Sequence, residues 1–482
     1  MGIVIDFVYL LAAAVISPKI VYRMVRHNRY RSGWGQRFGK ITRKNPAKKC
    51  IWLHAVSVGE VNAAKTVIEE LENRFSNPRS ESRTSFEIVI STTTDTGFAR
   101  ANALFGEKFQ VCYFPFDFSW VTRRAFRNIN PALCLLMELE VWPNFVETAR
   151  KLNVPVVVVN GRISDKSFPA YKMAKPIVKK IFRKVCLVLA QTKEYAHRFK
   201  ELGCPDERVV VTGSLKYDTA QITDKVQGTD ELAGQLFDKT ENRKSKIENR
   251  LWVAGGTGPG EEKIILNVFR NLRQDMRFGD LRLVIVPRKP ERFNEVAELI
   301  KQAGFELIRY SQIKRLATVL GTPYGENTPL RPKGYAGQAE CTEKSSIEHR
   351  VSSIESVILG DTMGDLRKFY SLATIIFVGR SLVLMGGSDM AEAAALGKCT
   401  MFGPHTFNFK QTVDALLADE GAIMVKDEQA LLDAMRKCLA DADYAERIAR
   451  NGQEVIRKNQ GATARTIEQI AQVLSTTRGD YF

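Results

Sequence analysis

The sequence predicts an α/β protein built from two doubly wound, parallel-sheet domains in tandem. Short Val- and Ile-rich runs recur along the chain, and each is followed by a polar turn and a helical pattern. Such near-continuous apolar strands are typical of parallel sheets that helices cover on both faces. With 482 residues and 54.3 kDa, the chain exceeds the size at which one hydrophobic core keeps growing, so two domains are expected.

The predicted strands fall into two sets of similar size, separated by a polar stretch that we interpret as an interdomain linker. The first set comprises Ile51–Ala55, Glu87–Ser91, Leu133–Met137, Val154–Val159, Leu187–Gln191 and Val209–Gly213. The second set comprises Leu251–Gly255, Arg282–Val286, Ser356–Leu359, Ile375–Val378 and Cys399–Phe402.

Composition shifts along the chain predict the domain boundaries. They give a membrane anchor with a basic juxtamembrane segment over 1–30, a first domain over 31–220, a linker over 221–250 and a second domain over 251–475. The polar stretch 312–353 has little periodicity and reads as a surface insertion in the second domain.

The net charge of +17, from 71 Lys and Arg against 54 Asp and Glu, needs an anionic partner or substrate. Nucleic acid is not expected, because the sequence carries no RNA-recognition aromatic motif, zinc finger or helix-turn-helix pattern. Eight cysteines are scattered, and no two stand at CxxC spacing. This argues against a structural zinc site and a disulfide framework, and favours reduced thiols in a cytosolic compartment.

A cluster of basic residues directly follows the apolar run Ile3–Ile16. In a cleavable signal peptide the basic residues come before the apolar run instead. As a helix the run would measure about 21 Å, which is short of a bilayer core, and Asp6 interrupts it. We therefore expect an uncleaved anchor at the cytoplasmic face of the inner membrane, with the basic residues on anionic lipids. The alternative is a buried first helix of the first domain. The sequence does not settle whether the run spans the bilayer or lies on it.

In doubly wound sheets ligands bind beyond the carboxyl ends of the strands, which directs attention to the residues after each strand. Glu60 follows the strand Ile51–Ala55 across a turn that contains Ser57 and Gly59. A carboxylate held there could serve as a general base for an acceptor hydroxyl. The alternative is a first-turn acid that only complements the helix dipole, and position alone favours that alternative.

Glu138 and Glu140 follow another apolar strand and are flanked by Leu, Val and Trp. Buried acids are costly unless they are paired or functional. Either they belong to the site, or one of them forms an ion pair with an arginine, for which the candidates are Arg123, Arg124 and Arg162.

Two further segments of the first domain are weaker candidates. The hydroxyls of Ser91–Gly97 could bind a sugar or phosphate, or could cap the next helix. Lys216 could place a cation over the predicted cleft, or could be a solvated linker lysine.

The second domain carries two Gly-rich turns. The turn at 254–262 matches neither the P-loop spacing nor a dinucleotide-binding fingerprint. The turn that leads from Gly379 to Glu392 could cradle a phosphate at a helix start, with Glu392 accepting from ribose hydroxyls, or could serve tight packing only. Arg288 follows a strand and suits a phosphate through its planar guanidinium.

Taken together, eight motifs resemble those of the 3-deoxy-D-manno-octulosonic acid (Kdo) transferases. They occur in the family's order along roughly residues 1–475: His54–Glu60, Ser91–Gly97, Met137–Asn144, Gly213–Asp218, Pro259–Glu262, Val286–Phe293, Leu359–Leu366 and Phe402–Phe409.

This resemblance implies an inverting, metal-independent glycosyltransferase of the GT-B type, whose two Rossmann-like domains face a central cleft. It implies Kdo transfer from CMP-Kdo to a lipid A precursor (lipid IVA) in lipopolysaccharide core biosynthesis, without a cofactor. Glu60 matches the family's general base, and Glu138 and Lys216 match residues that stabilise the reacting state. The residues that match the CMP-binding stretches are Pro287, Arg288, Met363, Gly364, Asp365, Asp389, Met390, Ala391 and Glu392.

The partners implied are CMP-Kdo, a phosphorylated glycolipid acceptor and anionic inner-membrane lipids. The donor loop departs from the family pattern, because Asp389 stands where Asn is usual. Two alternatives therefore stay open: a membrane-tethered transferase that uses another nucleotide sugar, such as a UDP-linked one, and a catalytically decayed module that binds sugar nucleotides or lipids.

Overall fold

The computed structural model describes residues 5–11, 14, 15, 17, 22, 32–76, 86–236, 250–319 and 356–475. The chain forms two compact units. The first unit comprises Met1–Thr219 together with Asn459–Phe482, and the second comprises Ala220–Lys458.

The sheet of the first unit has seven parallel strands in the order β3-β2-β1-β4-β5-β6-β7. The strands are β1 (Lys49–His54), β2 (Phe86–Thr92), β3 (Gln110–Tyr113), β4 (Pro131–Met137), β5 (Val156–Gly161), β6 (Leu187–Ala190) and β7 (Val209–Val211).

Helices cover both faces of this sheet. They are α1 (Trp34–Arg37), α2 (Val58–Leu71), α3 (Asp95–Phe105), α4 (Ser119–Ile129), α5 (Pro143–Lys151), α6 (Phe168–Met173), α7 (Lys175–Phe182), α8 (Lys193–Glu201) and α9 (Leu215–Thr219). A π-helical turn spans Glu72–Ser76, a 3₁₀ turn spans Asp206–Arg208, and residues 5–11 are also helical.

The sheet of the second unit also has seven parallel strands, in the order β10-β11-β9-β8-β12-β13-β14. The strands are β8 (Leu251–Thr257), β9 (Arg282–Pro287), β10 (Glu306–Arg309), β11 (Ser356–Leu359), β12 (Ile375–Val378), β13 (Cys399–Phe402) and β14 (Ile423–Met424).

The remaining helices are α10 (Thr229–Leu236), α11 (Glu261–Arg273), α12 (Phe293–Gln302), α13 (Tyr310–Val319), α14 (Leu366–Leu372), α15 (Met390–Ala395), α16 (Lys410–Ala418), α17 (Glu428–Ala440), α18 (Ala442–Asn459) and α19 (Ala462–Ser475). Two 3₁₀ turns span Met276–Phe278 and Pro290–Arg292. The α/β class with two parallel sheets is thus confirmed.

The predicted end of the second domain at residue 475 is wrong, because α19 belongs to the first unit. Its apolar face, which includes Ile467, Ile470 and Val473, is buried in the core between the first sheet and α2. Periodicity shows that a helix is amphipathic, but it does not show which core receives the apolar face.

The predicted linker and the predicted insertion each contain part of a helix. Within 221–250, α10 buries Leu232 and Leu236 and packs against α14 of the second unit, so this part is no free linker. The start of the predicted insertion, 312–319, lies in α13, and residues 320–353 lie outside the described residues.

Seven of the cysteines lie in the described residues, and all seven are buried free thiols. Among the described residues, no helix combines the length and the apolar character that crossing a membrane requires.

Candidate active site

Two acids that the sequence singled out stand side by side at the switch point of the first sheet. β1 and β4 are neighbours, and the strand order reverses between them. Glu60 lies in the first turn of α2, just after β1, and Glu138 comes directly after β4. The crevice at such a switch point is where doubly wound sheets bind ligands.

The carboxylate of Glu60 is folded back onto the start of its own helix. Ser57 is the N-cap residue and its Oγ accepts from the Glu60 N–H at 3.5 Å. In return, Glu60 Oε1 accepts from Ser57 Oγ at 2.9 Å and Oε2 accepts from the Val56 N–H at 2.9 Å. This reciprocal arrangement resembles a capping box, but Glu60 accepts from the N–H of Val56 instead of that of the N-cap residue Ser57. Each carboxylate oxygen keeps further acceptor capacity, so the side chain is oriented without being saturated.

The electrostatic setting of Glu60 suits proton transfer near neutral pH. Burial raises the pKa of Glu60 to about 7, and the negative charges of Glu138 and Glu140 add to the increase. The hydrogen bonds from Val56 and Ser57 oppose it, because they favour the ionised form. A carboxylate with such a pKa can accept a proton at physiological pH and is well matched to general-base catalysis.

Glu138 and Glu140 follow β4, and the sequence offered three arginines as partners for them. Within the described part of the chain, no ion pair joins either acid to Arg123, Arg124 or Arg162. Glu138 adopts a left-handed backbone conformation with φ of 55°, and its N–H donates to Val159 O at 2.9 Å. Glu140 accepts from Trp142 Nε1 at 2.9 Å, and burial raises its pKa. Strained backbone in a non-glycine residue is typical of functional loops.

Thr94 braces the loop that carries Glu60. It caps α3 by accepting from the Gly97 N–H at 3.0 Å, and its hydroxyl donates to Val56 O at 3.0 Å. Of the two alternatives for this segment, helix capping is therefore the one that Thr94 fulfils.

Lys216 lies on α9, which packs against α2, the helix of Glu60. The three residues that match the family's catalytic set thus all lie in the first unit: Glu60 and Glu138 follow adjacent strands, and Lys216 lies on a helix that packs against α2.

In the second unit the switch point lies between β8 and β12, and Glu261 joins the two loops that follow these strands. Its carboxylate is completely buried and accepts four backbone N–H groups at 2.5–2.9 Å. The donors are Gly258, Arg380, Ser381 and Leu382. In the Gly-rich turn that begins at Gly379, the backbone N–H groups of Arg380, Ser381 and Leu382 therefore already donate to the Glu261 carboxylate.

Sequence reasoning did not find this role of Glu261. The available signal was the pair of adjacent acids Glu261 and Glu262 directly after a Gly-rich turn. Glu262 is also fully buried, and Arg292 and Thr257 satisfy it.

Three of the residues assigned to the donor, Arg288, Asp389 and Glu392, lie near enough to the buried Tyr370 to influence its pKa. Burial raises the pKa of Tyr370, Glu392 and Asp389 add to the increase, and Arg288 opposes it. Burial also raises the pKa of Glu392, and Asp389 increases it further. Arg288 follows Pro287 at the end of β9.

Asp389 is engaged at the start of α15, where its carboxylate accepts from the Ala391 N–H at 2.9 Å. Met390 and Ala391 are buried. They therefore contribute to the packing of α15.

The carboxylate of Asp365 forms ion pairs with Lys314 and Lys368. Burial alone would raise its pKa, but hydrogen bonds from Lys314, Lys368 and Thr362 outweigh this and hold the pKa at about 2. Met363 is exposed and Gly364 has φ of 91°, so the loop tip itself is accessible. Across the described residues, no group of three or more His, Cys, Asp or Glu side chains is placed to hold a metal ion.

Comparison with known proteins identifies the family. A family model described as 3-Deoxy-D-manno-octulosonic-acid transferase (kdotransferase) matches residues 32–219. The 3-deoxy-D-manno-octulosonic acid transferase of Haemophilus influenzae is 31% identical over 452 residues, which cover 93% of each chain. The chain belongs to the 3-deoxy-D-manno-octulosonic acid transferase family. The Bordetella pertussis Kdo transferase is 28% identical over 96% of this chain and 98% of its own.

Solved structures support the architecture of this Kdo transferase family member. A UDP-GlcNAc 2-epimerase from Neisseria meningitidis covers 88% of this chain and all of its own, with a TM-score of 0.51 and 13% sequence identity. A protein from Listeria monocytogenes described as a UDP-N-acetylglucosamine 2-epimerase covers 90% of this chain, with a TM-score of 0.50 and 12% identity. At this level of identity the likeness concerns the fold alone.

Proposed function

We propose that this Kdo transferase family member moves Kdo from CMP-Kdo to a phosphorylated lipid A precursor, lipid IVA, in lipopolysaccharide core biosynthesis. The proposal includes inversion at the anomeric carbon and a GT-B type of fold. The observation that carries it is Glu60, a half-buried carboxylate at the switch point of the first sheet with a pKa raised to about 7.

In the proposed reaction Glu60 accepts the proton of the acceptor hydroxyl as its oxygen attacks the anomeric carbon of Kdo. The new carbon–oxygen bond forms as the bond to the phosphate breaks, and CMP leaves with the electron pair. One displacement inverts the centre. The transition state has oxocarbenium character, as in glycoside hydrolysis.

Orientation of Glu60 supports this role. The Val56 N–H and Ser57 Oγ hold the two carboxylate oxygens, so the base does not need to be ordered during the reaction. Glu138 and Lys216 are proposed to stabilise the reacting state, Glu138 by its charge next to the positive sugar ring and Lys216 by its cation.

The donor is proposed to bind the second unit, where Arg288 would meet the charge of the departing cytidylate phosphate through its guanidinium. Glu392, beside Tyr370, would accept from the ribose hydroxyls. Pro287, Met363 and Gly364 would line this site, and Asp389 and Asp365 would support it through the contacts described above. The reaction as proposed requires no cofactor.

The first unit supports a further proposal, that the protein attaches to the cytoplasmic face of the inner membrane. On the N-terminal helix Phe7, Leu10 and Leu11 are exposed. On α4 the residues Trp120, Arg123, Arg124 and Arg127 line a surface hollow of about 470 Å³. Exposed apolar side chains beside arginines fit an anionic lipid surface. Flotation with phosphatidylglycerol vesicles tests this proposal. We expect the protein to bind the vesicles at low salt and to bind more weakly as the salt concentration is raised. No binding at any salt concentration would refute the proposal.

The transfer itself is tested by mass spectrometry of the product formed from CMP-Kdo and lipid IVA. We expect the acceptor mass to rise by one or more Kdo residues and free CMP to inhibit the reaction better than UDP. An unchanged acceptor would refute Kdo transfer to lipid IVA, and preferential inhibition by UDP would favour another nucleotide-sugar donor.

A further inference from the structure

The N-terminal helix is fastened to the first unit through one polar face. Residues 5–11 are helical, and Asp6 and Tyr9, three residues apart, are half-buried. Phe7, Val8, Leu10 and Leu11 are exposed. Side chains three apart share a face of a helix, so the polar face points into the first unit and the apolar face away from it.

Asp6 links the starts of two helices that pack against each other. Its carboxylate accepts from Ser119 N at 2.8 Å and Ser119 Oγ at 2.5 Å, at the first residue of α4. It also accepts from Asn144 Nδ2 at 2.9 Å, at the second residue of α5. An acid that looks out of place in an apolar run thus serves as a helix cap supplied from a distant part of the chain.

Tyr9 makes the second link, through Asp117. The Tyr9 hydroxyl donates to Asp117 Oδ2 at 3.1 Å. The same buried carboxylate accepts the N–H groups of Asn144 at 3.0 Å and Phe145 at 2.7 Å, which are the free donors at the start of α5. Asn144 therefore contacts both acids and is the meeting point of the N-terminal helix and α5.

The start of α5 is also the end of the loop that carries Glu138 and Glu140. The loop 138–142 runs from the end of β4 to Pro143, the first residue of α5. β4 lies inside the sheet and is fixed by its neighbours on both sides. The other end of the loop is fixed by the seating of α5, which Asp6 and Asp117 hold at its first turn.

We propose that Asp6 and Tyr9 are positioning residues of the catalytic loop 138–142, so that the seating of the N-terminal helix sets where Glu138 and Glu140 stand relative to Glu60. The N-terminal helix is then part of the active-site scaffold as well as a candidate anchor. This inference rests on the proposed function for its kinetic readout, but its structural readout is independent of it.

The test compares full-length Asp6→Ala and Tyr9→Phe with the wild type. Hydrogen exchange of peptides covering 138–147 should rise about tenfold in Asp6→Ala and less in Tyr9→Phe. With acceptor dispersed in detergent micelles, where anchoring to a bilayer is not needed, kcat should fall at least about tenfold. The KM for CMP-Kdo should stay unchanged, because the donor residues lie in the second unit.

Two variants separate positioning from general loss of stability. Asp6→Asn keeps an acceptor oxygen for Asn144 and Ser119 and should restore both readouts to near wild-type values. Asp427→Ala removes an exposed N-cap of α17, where Asp427 accepts from the Ala430 N–H at 2.8 Å, and should leave exchange at 138–147 and kcat unchanged.

Wild-type exchange at 138–147 in Asp6→Ala would overturn the inference. A rise in hydrogen exchange of Asp6→Ala that is spread evenly over the first unit would overturn it too. So would an Asp6→Ala variant that loses activity with acceptor in vesicles but keeps full activity with acceptor in micelles. If the wild type itself transfers no Kdo, the proposed function fails, while the exchange measurement still decides whether the N-terminal helix positions the loop.

Discussion

The carboxylate of Glu60 caps the start of α2 and is the proposed general base, and these two roles place different demands on it. At the start of α2 it accepts from the Val56 N–H and the Ser57 hydroxyl, which orients it and favours its charge. As the proposed general base it has to accept a proton, which burial and the neighbouring Glu138 and Glu140 favour. A pKa of about 7 is the outcome of these opposing effects. The general-base proposal and the helix-capping alternative from the sequence are therefore compatible.

This balance predicts the pH dependence of the reaction. Glu60 must be ionised to accept a proton, so kcat/KM should rise with pH through about 7. Ser57→Ala removes a hydrogen bond that stabilises the ionised carboxylate, so the pKa of Glu60 should increase and the acid limb should move to higher pH by about one unit. A pH–rate profile measures the shift.

The matched control for this profile is Ser475→Ala, which removes an exposed hydroxyl at the end of α19. Its acid limb should coincide with that of the wild type. An unshifted limb in Ser57→Ala would show that Ser57 does not tune the base.

At single residues, sequence reasoning succeeded where the partners are close in the chain. Ser57 and Glu60 are three residues apart, so the turn and the helix start could be predicted. The arginine partner that the sequence offered as one alternative for Glu138 or Glu140 is not found among the ion pairs of the described residues. Glu261 was missed because three of its four donors, Arg380, Ser381 and Leu382, lie more than a hundred positions away. Only the fold brings them together.

Between elements, Glu261 connects the two loops at the switch point of the second sheet. It belongs to α11, which follows β8, and its partners Arg380–Leu382 follow β12. Arg380 has a left-handed φ of 60°, a conformation that costs a non-glycine residue free energy unless its surroundings hold it. The buried carboxylate supplies that support, because it satisfies the N–H groups of Arg380 and the two residues after it.

We therefore expect Glu261→Gln to destabilise the second unit and to weaken CMP binding. The amide nitrogen would face backbone donors instead of accepting from them, which should lower the free energy of unfolding by about 3 kcal/mol. Urea denaturation and CMP titration measure the two effects. Glu446→Gln, on the exposed face of α18, is the control and should change neither. Unchanged stability in Glu261→Gln would contradict the role assigned to this carboxylate.

The strands that the sequence did not predict share one position in the fold. β3, β10 and β14 each lie at an edge of a sheet. An edge strand has a neighbouring strand on one side only and is less completely buried, so its sequence needs no continuous apolar run. β10 has the sequence ELIR, and β14 consists of two residues. The inner strands are buried on both faces, and their apolar runs made them visible. Ser356–Leu359, Ile375–Val378 and Cys399–Phe402 were predicted with the bounds that the structure has.

Over the whole molecule, the chain leaves the first unit after Thr219 and returns to it at Asn459. The last helix, α19, completes the core of the first unit. Asp218 anchors its start by accepting the N–H groups of Gly461 and Thr463. The sequence predicted a doubly wound fold and two domains, but it could not show this return, since an amphipathic helix fits either core.

The return of the chain predicts that the C-terminal helix stabilises the first unit. Ile470 is completely buried there, so Ile470→Ala should lower the free energy of unfolding of that unit by about 2–5 kcal/mol. Hydrogen exchange of the β1 and β4 peptides would report the loss. Glu468→Ala changes an exposed residue of the same helix and should have little effect. If β8 and β12 became more exchangeable instead, α19 would belong to the other core.

The most direct test of the account is the transfer rate of Glu60→Gln, followed by mass spectrometry with CMP-Kdo and lipid IVA, together with its affinity for CMP. Glu69→Gln, on the exposed side of the same helix, is the matched control. We predict that Glu60→Gln loses about 10²–10⁴-fold in kcat while it binds CMP as the wild type does, and that Glu69→Gln keeps full activity. Wild-type turnover by Glu60→Gln would contradict the proposal that this carboxylate is the general base.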